Sequence, residues 1–71
     1  MYFRRIRDLR EDADFKQIDL AEKLGVTQAT YSDYENGKIN APIDILFKLC
    51  DLYDVSLDYL TGRSNKRKED R

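Results

Sequence analysis

Between residues 17 and 35 the chain holds two short helical segments separated only by Gly25-Val26-Thr27, and that spacing constrains the fold more than any other feature. In the first segment Leu20, Ala21 and Leu24 recur at helical intervals. Asp14 and Gln17, three apart ahead of them, resemble a capping box, which makes Asp14 or a neighbour the expected cap. Gly25 suits the far end, because a residue without Cβ enters the left-handed region at little cost. Thr27 is then placed to cap a second segment, Gln28 to about Glu35, closed by Asn36-Gly37. Three connecting residues are too few for the two helices to pack antiparallel along their length, so a steep crossing is expected, with the small Ala21 at the close approach. Val26, Tyr31 and Tyr34 are expected to face the core beside Leu20 and Leu24. Gln28, Ala29, Ser32, Asp33 and Asn36 remain as one continuous outward stripe, which a purely core-facing helix does not need.

The flanking segments also read as helices. Tyr2, Phe3, Ile6, Leu9 and Ala13 recur at three- and four-residue steps, opposite a polar face of Arg4, Arg5, Asp8 and Glu11, so helix 1 opens the chain. Pro42 suits the first turn of helix 4, about residues 42–53, whose expected buried stripe is Ile43, Leu46, Leu49, Cys50 and Tyr53. Ser56 is placed to cap a last helix, Leu57-Asp58-Tyr59-Leu60, that stops at Gly62. No run alternates with period two for long enough to predict a strand. The expected architecture is all-α: a compact five-helix domain over residues 1–62, followed by a basic tail, residues 63–71. That tail contains no apolar residue and is expected to be disordered.

Composition removes several function classes. The 71 residues suffice for one small core but not for an enzyme cleft with a lid. With no His and a single Cys, no zinc site and no His-dependent triad can be assembled. Paired carboxylates and phosphate-cradling Gly-rich loops are also missing from the pattern, so no enzyme activity, cofactor or metal is expected. The lone Cys50 reads as a small core residue. No apolar run approaches the roughly 18 residues of a membrane span, and no signal-peptide pattern opens the chain, so the expectation is a cytoplasmic protein. The net charge of −1 hides a partition: residues 1–10 carry +3, residues 11–62 carry −7 and residues 63–71 carry +3. A chain of this kind cannot bind nucleic acid through a broad basic surface; it needs a few well-placed contacts.

Gln17-Ile18-Asp19-Leu20-Ala21-Glu22-Lys23-Leu24-Gly25-Val26-Thr27-Gln28, then Tyr34-Glu35-Asn36-Gly37-Lys38, then Val55-Ser56-Leu57-Asp58-Tyr59-Leu60-Thr61-Gly62 resemble the lambdoid phage repressor and Cro family, also called the xenobiotic-response-element family. The resemblance covers about residues 5–62. It implies a helix-turn-helix formed by helices 2 and 3, and a transcriptional regulator, repressor-type, whose helix 28–35 enters the major groove of double-stranded DNA. Carried over by position, Gln28, Ala29, Ser32 and Asp33 face base edges. Gln28 could pair adenine through N6 and N7, and Ala29 could meet a thymine methyl. Asp33 either accepts a bond from cytosine N4 or weakens binding at wrong sites. Phosphate contacts fall to Lys16, Gln17, Thr27, Asn36, Lys38 and Asn40, and Arg10 and Glu35 form a structural ion pair. Lys16 departs from the family, which usually has Ser or Thr there, and Tyr31 replaces a usual aliphatic residue.

Helix 4 is apolar around most of its circumference, with Asp44, Lys48 and Asp51 as its polar stripe. Ile45, Phe47, Leu52, Leu57 and Tyr59 are therefore candidates for a homodimer interface, with simple core burial the competing explanation. A two-fold dimer, formed in solution or on DNA, would set two reading helices about 34 Å apart on a pseudo-palindromic operator. The alternative is an antitoxin-like module of the same fold, in which the apolar, acidic C-terminal half binds another protein and DNA binding is secondary.

Overall fold

The same short-range device ends every helix among the described residues. In the computed structural model, which describes residues 2–68, the helices are α1 (Arg4–Asp12), α2 (Gln17–Leu24), α3 (Gln28–Asn36), α4 (Ile43–Tyr53) and α5 (Leu57–Leu60). After each of them one residue takes a positive φ: Asp14, Gly25, Gly37, Asp54 and Gly62. The next N–H then donates to the carbonyl five residues back, Phe15 to Arg10, Val26 to Ala21, Lys38 to Asp33, Val55 to Cys50 and Arg63 to Asp58, at 2.8–3.1 Å. Each bond satisfies a carbonyl that the end of a helix would otherwise leave open. At two of the five positions the left-handed residue is Asp, whose short polar side chain tolerates that region better than most. Gly37 has a second reason to lack a side chain, because a Cβ there would lie 2.9 Å from the Cβ of Tyr2 and 3.1 Å from its Cα.

The helix starts differ from the sequence expectation in three places. Tyr2 and Phe3 precede α1 rather than belonging to it: Phe3 is extended and no side chain caps the helix, since no Ser, Thr, Asp or Asn stands ahead of it. At α2 the cap is Lys16, whose N–H donates to the Asp19 carboxylate at 2.8 Å. The box expected from Asp14 and Gln17 cannot form, because Asp14 is spent on the left-handed turn after α1. Pro42 sits just before α4 rather than in its first turn, and its carbonyl accepts from Ile45 and Leu46. Two capping hydroxyls are in place, with Thr27 Oγ1 accepting from Thr30 N–H at 3.1 Å and Ser56 Oγ from Tyr59 N–H at 3.0 Å.

All five helices contribute to one core: Ile6 and Leu9 from α1, Leu20, Ala21 and Leu24 from α2, Tyr31 and Tyr34 from α3, Ile45, Leu46, Leu49 and Cys50 from α4, and Leu60 from α5, with Val55 between the last two. Each fully buried aliphatic side chain contributes about 1.5–3 kcal/mol. Helices α2 and α3 share the most extensive contact of any helix pair. On α4 the buried stripe is rotated from the expected one: Ile45 is only 5% exposed, whereas Ile43 is 55% exposed. Ala13 is also exposed. No strand is present among the described residues.

Residues 63–68, expected to be disordered, instead fold back along α5. Arg63 and Ser64 N–H both donate to the Asp58 carbonyl, and Ser56 N–H donates to the Arg67 carbonyl at 2.6 Å. The segment has no apolar side chain of its own, and its partners lie on elements that local sequence does not reveal. Residues 69–71 of the expected tail lie outside the described residues.

Backbone strain at the helix ends is measurable. Gly37→Ala should lower stability in urea unfolding by about 1–3 kcal/mol, combining a left-handed Ala with the collision against Tyr2. Asp14→Gly, which keeps the turn and removes its steric cost, should raise stability by about 0.5–1 kcal/mol.

Candidate nucleic-acid interface

Helix α3 has two faces of opposite character. Tyr31, Tyr34 and Glu35 point inward and are buried, whereas Gln28, Ala29 and Asn36 are exposed and Ser32 and Asp33 are half-buried. Gln28, Ala29, Ser32 and Asp33 thus share one accessible face. On it Asn36 Nδ2 donates to Ser32 Oγ at 3.3 Å, which leaves the Ser32 hydroxyl hydrogen available to an outside acceptor. No Lys or Arg lies within α3, and Asp33 forms no ion pair among the described residues.

The inner face is held by a charged cluster. Glu35 is 2% exposed. Arg10 grips it with a planar fork, Nε to Oε2 at 2.9 Å and Nη2 to Oε1 at 2.9 Å, while Nη1 donates to the Phe15 carbonyl at 2.9 Å. Gln17 Nε2 reaches Glu35 Oε1 at 3.4 Å, and the more exposed Arg7 comes to 4.0 Å. One carboxylate therefore ties α1, the start of α2 and the end of α3 together. Burial alone would push the Glu35 carboxyl up, but the Arg10 bonds, with help from Gln17, outweigh it and hold the group below the usual carboxylate range. The bond to Glu35 raises Arg10 in turn. Burial, followed by the nearby Glu35 carboxylate, pushes the Tyr31 phenol well up, and burial pushes Tyr53 up to about 12. Both hydroxyls are buried without a hydrogen-bond partner among the described residues.

The candidate phosphate-contacting residues lie at the start of α2 and around the two ends of α3. Lys16, Thr27, Asn36, Lys38 and Asn40 are exposed, while Gln17 is half-buried against Glu35. Thr27 caps α3, and its hydroxyl also donates to Thr30 Oγ1 at 2.9 Å. Two long-range contacts left no trace in the sequence pattern. Tyr2 lies against the Gly37 turn, and Arg5 stacks over the Tyr59 ring at 4.0 Å from α1. Both pairs join residues at opposite ends of the sequence or separated by several helices, beyond the reach of any local period.

The five candidates for an interface between copies separate. Ile45 must be withdrawn, because it lies in the core. Leu57 and Tyr59 are partly buried against that core, while Phe47 and Leu52 remain 52% and 36% exposed. Ile43, one turn from Phe47, joins them on the outside. Among the described residues no group of His, Cys, Asp and Glu is arranged to hold a metal ion, and no helix is long and apolar enough to cross a membrane.

The helix-turn-helix family profile matches residues 6–60, from α1 through the last residue of α5. The chain belongs to the Cro/C1-type helix-turn-helix family. Among curated proteins it is similar to the HTH-type transcriptional regulator YobD of Bacillus subtilis (strain 168), 42% identical over 62 residues that make up 87% of this chain and 55% of that protein. It is also similar to the regulator ImmR of the same strain, 36% identical over 93% of this chain and 52% of ImmR. The cryptic phage CTXphi transcriptional repressor RstR of Vibrio cholerae is 31% identical over all of this chain and 64% of its own length. The chain thus spans about half to two thirds of the length of these relatives.

The cluster beneath α3 predicts a specific energetic pattern. Arg10→Ala should cost about 3–5 kcal/mol because it strands a buried carboxylate, and adding Glu35→Gln should recover part of that loss. Glu35 is held below its unfolded value, so its contribution is present above the ordinary carboxylate value of 4.5 and disappears as pH falls below it. Urea titrations from neutral to acid pH should therefore show a steeper loss of stability in the native protein than in Glu35→Gln.

Proposed function

We propose that the chain is a sequence-specific double-stranded DNA-binding transcriptional regulator of repressor type, acting in the cytoplasm by occupying an operator. The observation that carries this reading is the accessible polar stripe on α3, set on a helix whose back is locked by Arg10 and Glu35. Preorganisation of this kind lets a short helix discriminate bases without conformational loss on binding. Gln28, at the exposed start of α3, is the main base reader, with Ala29 beside it and Ser32 and Asp33 one turn further along. Lys16, Gln17, Thr27, Asn36, Lys38 and Asn40 set the register through phosphates. Names of the relatives, two of them regulators and one a phage repressor, agree with this role.

A two-fold homodimer on a pseudo-palindromic operator is the assembly this reading implies, with Phe47, Leu52, Leu57 and Tyr59 the remaining candidates for its interface. The exposed Ile43 and Phe47, successive on α4, also favour a second reading, an antitoxin-like protein-binding module. The two readings separate by variant: loss of Gln28 weakens the main activity in the first and spares it in the second.

Selection of the purified protein against random duplex DNA at about 50 and 200 mM salt should enrich an inverted repeat that persists at the higher salt. Failure to enrich any sequence from folded protein overturns the DNA-binding reading. Gln28→Ala should cost about 1–3 kcal/mol on the selected site and relax the preference at one base pair. Lys38→Ala should weaken binding to all duplexes alike and reduce the salt slope by about 1. Quantitative gel-shift titrations at several salt concentrations distinguish the two behaviours.

A further inference from the structure

The face of α5 is covered by the chain's own basic segment. Ser64 and Asn65 are held by Arg5, whose guanidinium donates to the Ser64 carbonyl, to Asn65 Oδ1 at 2.8 Å and to the Tyr59 carbonyl at 2.8 Å. The Tyr59 ring meets two guanidinium groups, Arg5 at 4.0 Å and Arg67 at 5.5 Å. Further along, Lys68 pairs with Asp54 at 2.6 Å. This segment brings no apolar side chain to the contact, and the Lys68–Asp54 pair is largely in water, so its closure rests on polar and cation–π contacts of the kind that solvent competes with.

What lies underneath and beside it is different in character. Leu57 and Tyr59 pack on the core, and Leu57 continues into a cleft with Phe3, Ile43 and Leu46 that Asp58, Thr61 and Arg63 also line. The exposed Ile43–Phe47 ridge runs alongside.

We propose that residues 63–68 form a displaceable strap over α5, and that its release opens this face to a second copy of the chain. Release frees two complementary groups on one surface. Arg5 loses its Ser64 and Asn65 acceptors, and Asp54 loses Lys68. A two-fold axis sets a patch against itself, so a surface bearing both an unpaired cation and an unpaired carboxylate beside apolar ground is self-complementary. The strap and the second copy compete for the same groups, which makes the monomer the strap-closed form. This inference rests on the homodimer reading above and adds what controls it.

The test compares the unaltered chain with the double variant Arg67→Glu, Lys68→Glu, which removes one ring contact and places like charge against Asp54. Amide NMR of residues 63–68 reports release, thermal unfolding reports that the variant is folded, and sedimentation equilibrium from about 10 to 500 μM reports association. The expected result is a released strap and a dimer at least about tenfold tighter than that of the unaltered chain, with shifts centred on residues 54–60. Equal dissociation constants for the two proteins overturn the strap as a gate while leaving the dimer standing. A weaker dimer in the variant overturns it too, by making the strap part of the interface. Ordered 63–68 amides in the variant overturn displaceability. Two monomers across the whole range overturn the homodimer reading itself.

Discussion

Glu35 is the group on which the arrangement of the outer surface depends. A carboxylate buried to this degree persists as an ion only where desolvation is offset, and here the offset comes from a two-pronged Arg10 contact rather than from a single bond. Because the fork is planar and bidentate, it fixes orientation as well as distance. The end of α3 cannot roll or slide along α1 without breaking both prongs, and Gln17 adds a lateral restraint from α2. The accessible stripe from Gln28 to Asn36 is therefore the outward consequence of a contact on the opposite side of the same helix.

The surface that results is sparing in charge. With no cation on α3 and, among the described residues, no ion pair at Asp33, the proposed affinity for a polyanion would draw on its borders, where Lys16 and Lys38 stand, and on backbone donors. Such a surface has little attraction for DNA in general. Discrimination then falls to hydrogen-bond geometry at a few positions, which is where a rigid helix is most useful.

Most of the helical framework is legible in the sequence because it is built from local signals. Thr27 and Ser56 cap where their hydroxyls predict, and Gly25 and Gly37 end α2 and α3. The face of α4 is harder to read: its apolar residues surround the helix, so the period alone does not choose between Ile43 and Ile45, and packing against the rest of the core decides. Asp14 and Asp54 were hidden for another reason, since the sequence pattern favours Gly at a left-handed position and gives no notice when Asp takes it. The stripe on α3 follows from helical spacing, whereas the Arg10–Glu35 contact is legible only through family resemblance. The Arg5–Tyr59 stack had no such guide and is visible only in three dimensions.

The five repeated helix ends bear on how the chain reaches this structure. Each reversal is closed by a bond spanning five residues, so the corners can form before distant parts of the chain meet. Topologies assembled from such neighbouring contacts pay little loop entropy ahead of core formation and fold quickly. A rapidly folding chain exposes its apolar helix faces only briefly after synthesis, which shortens the interval in which aggregation can compete with docking.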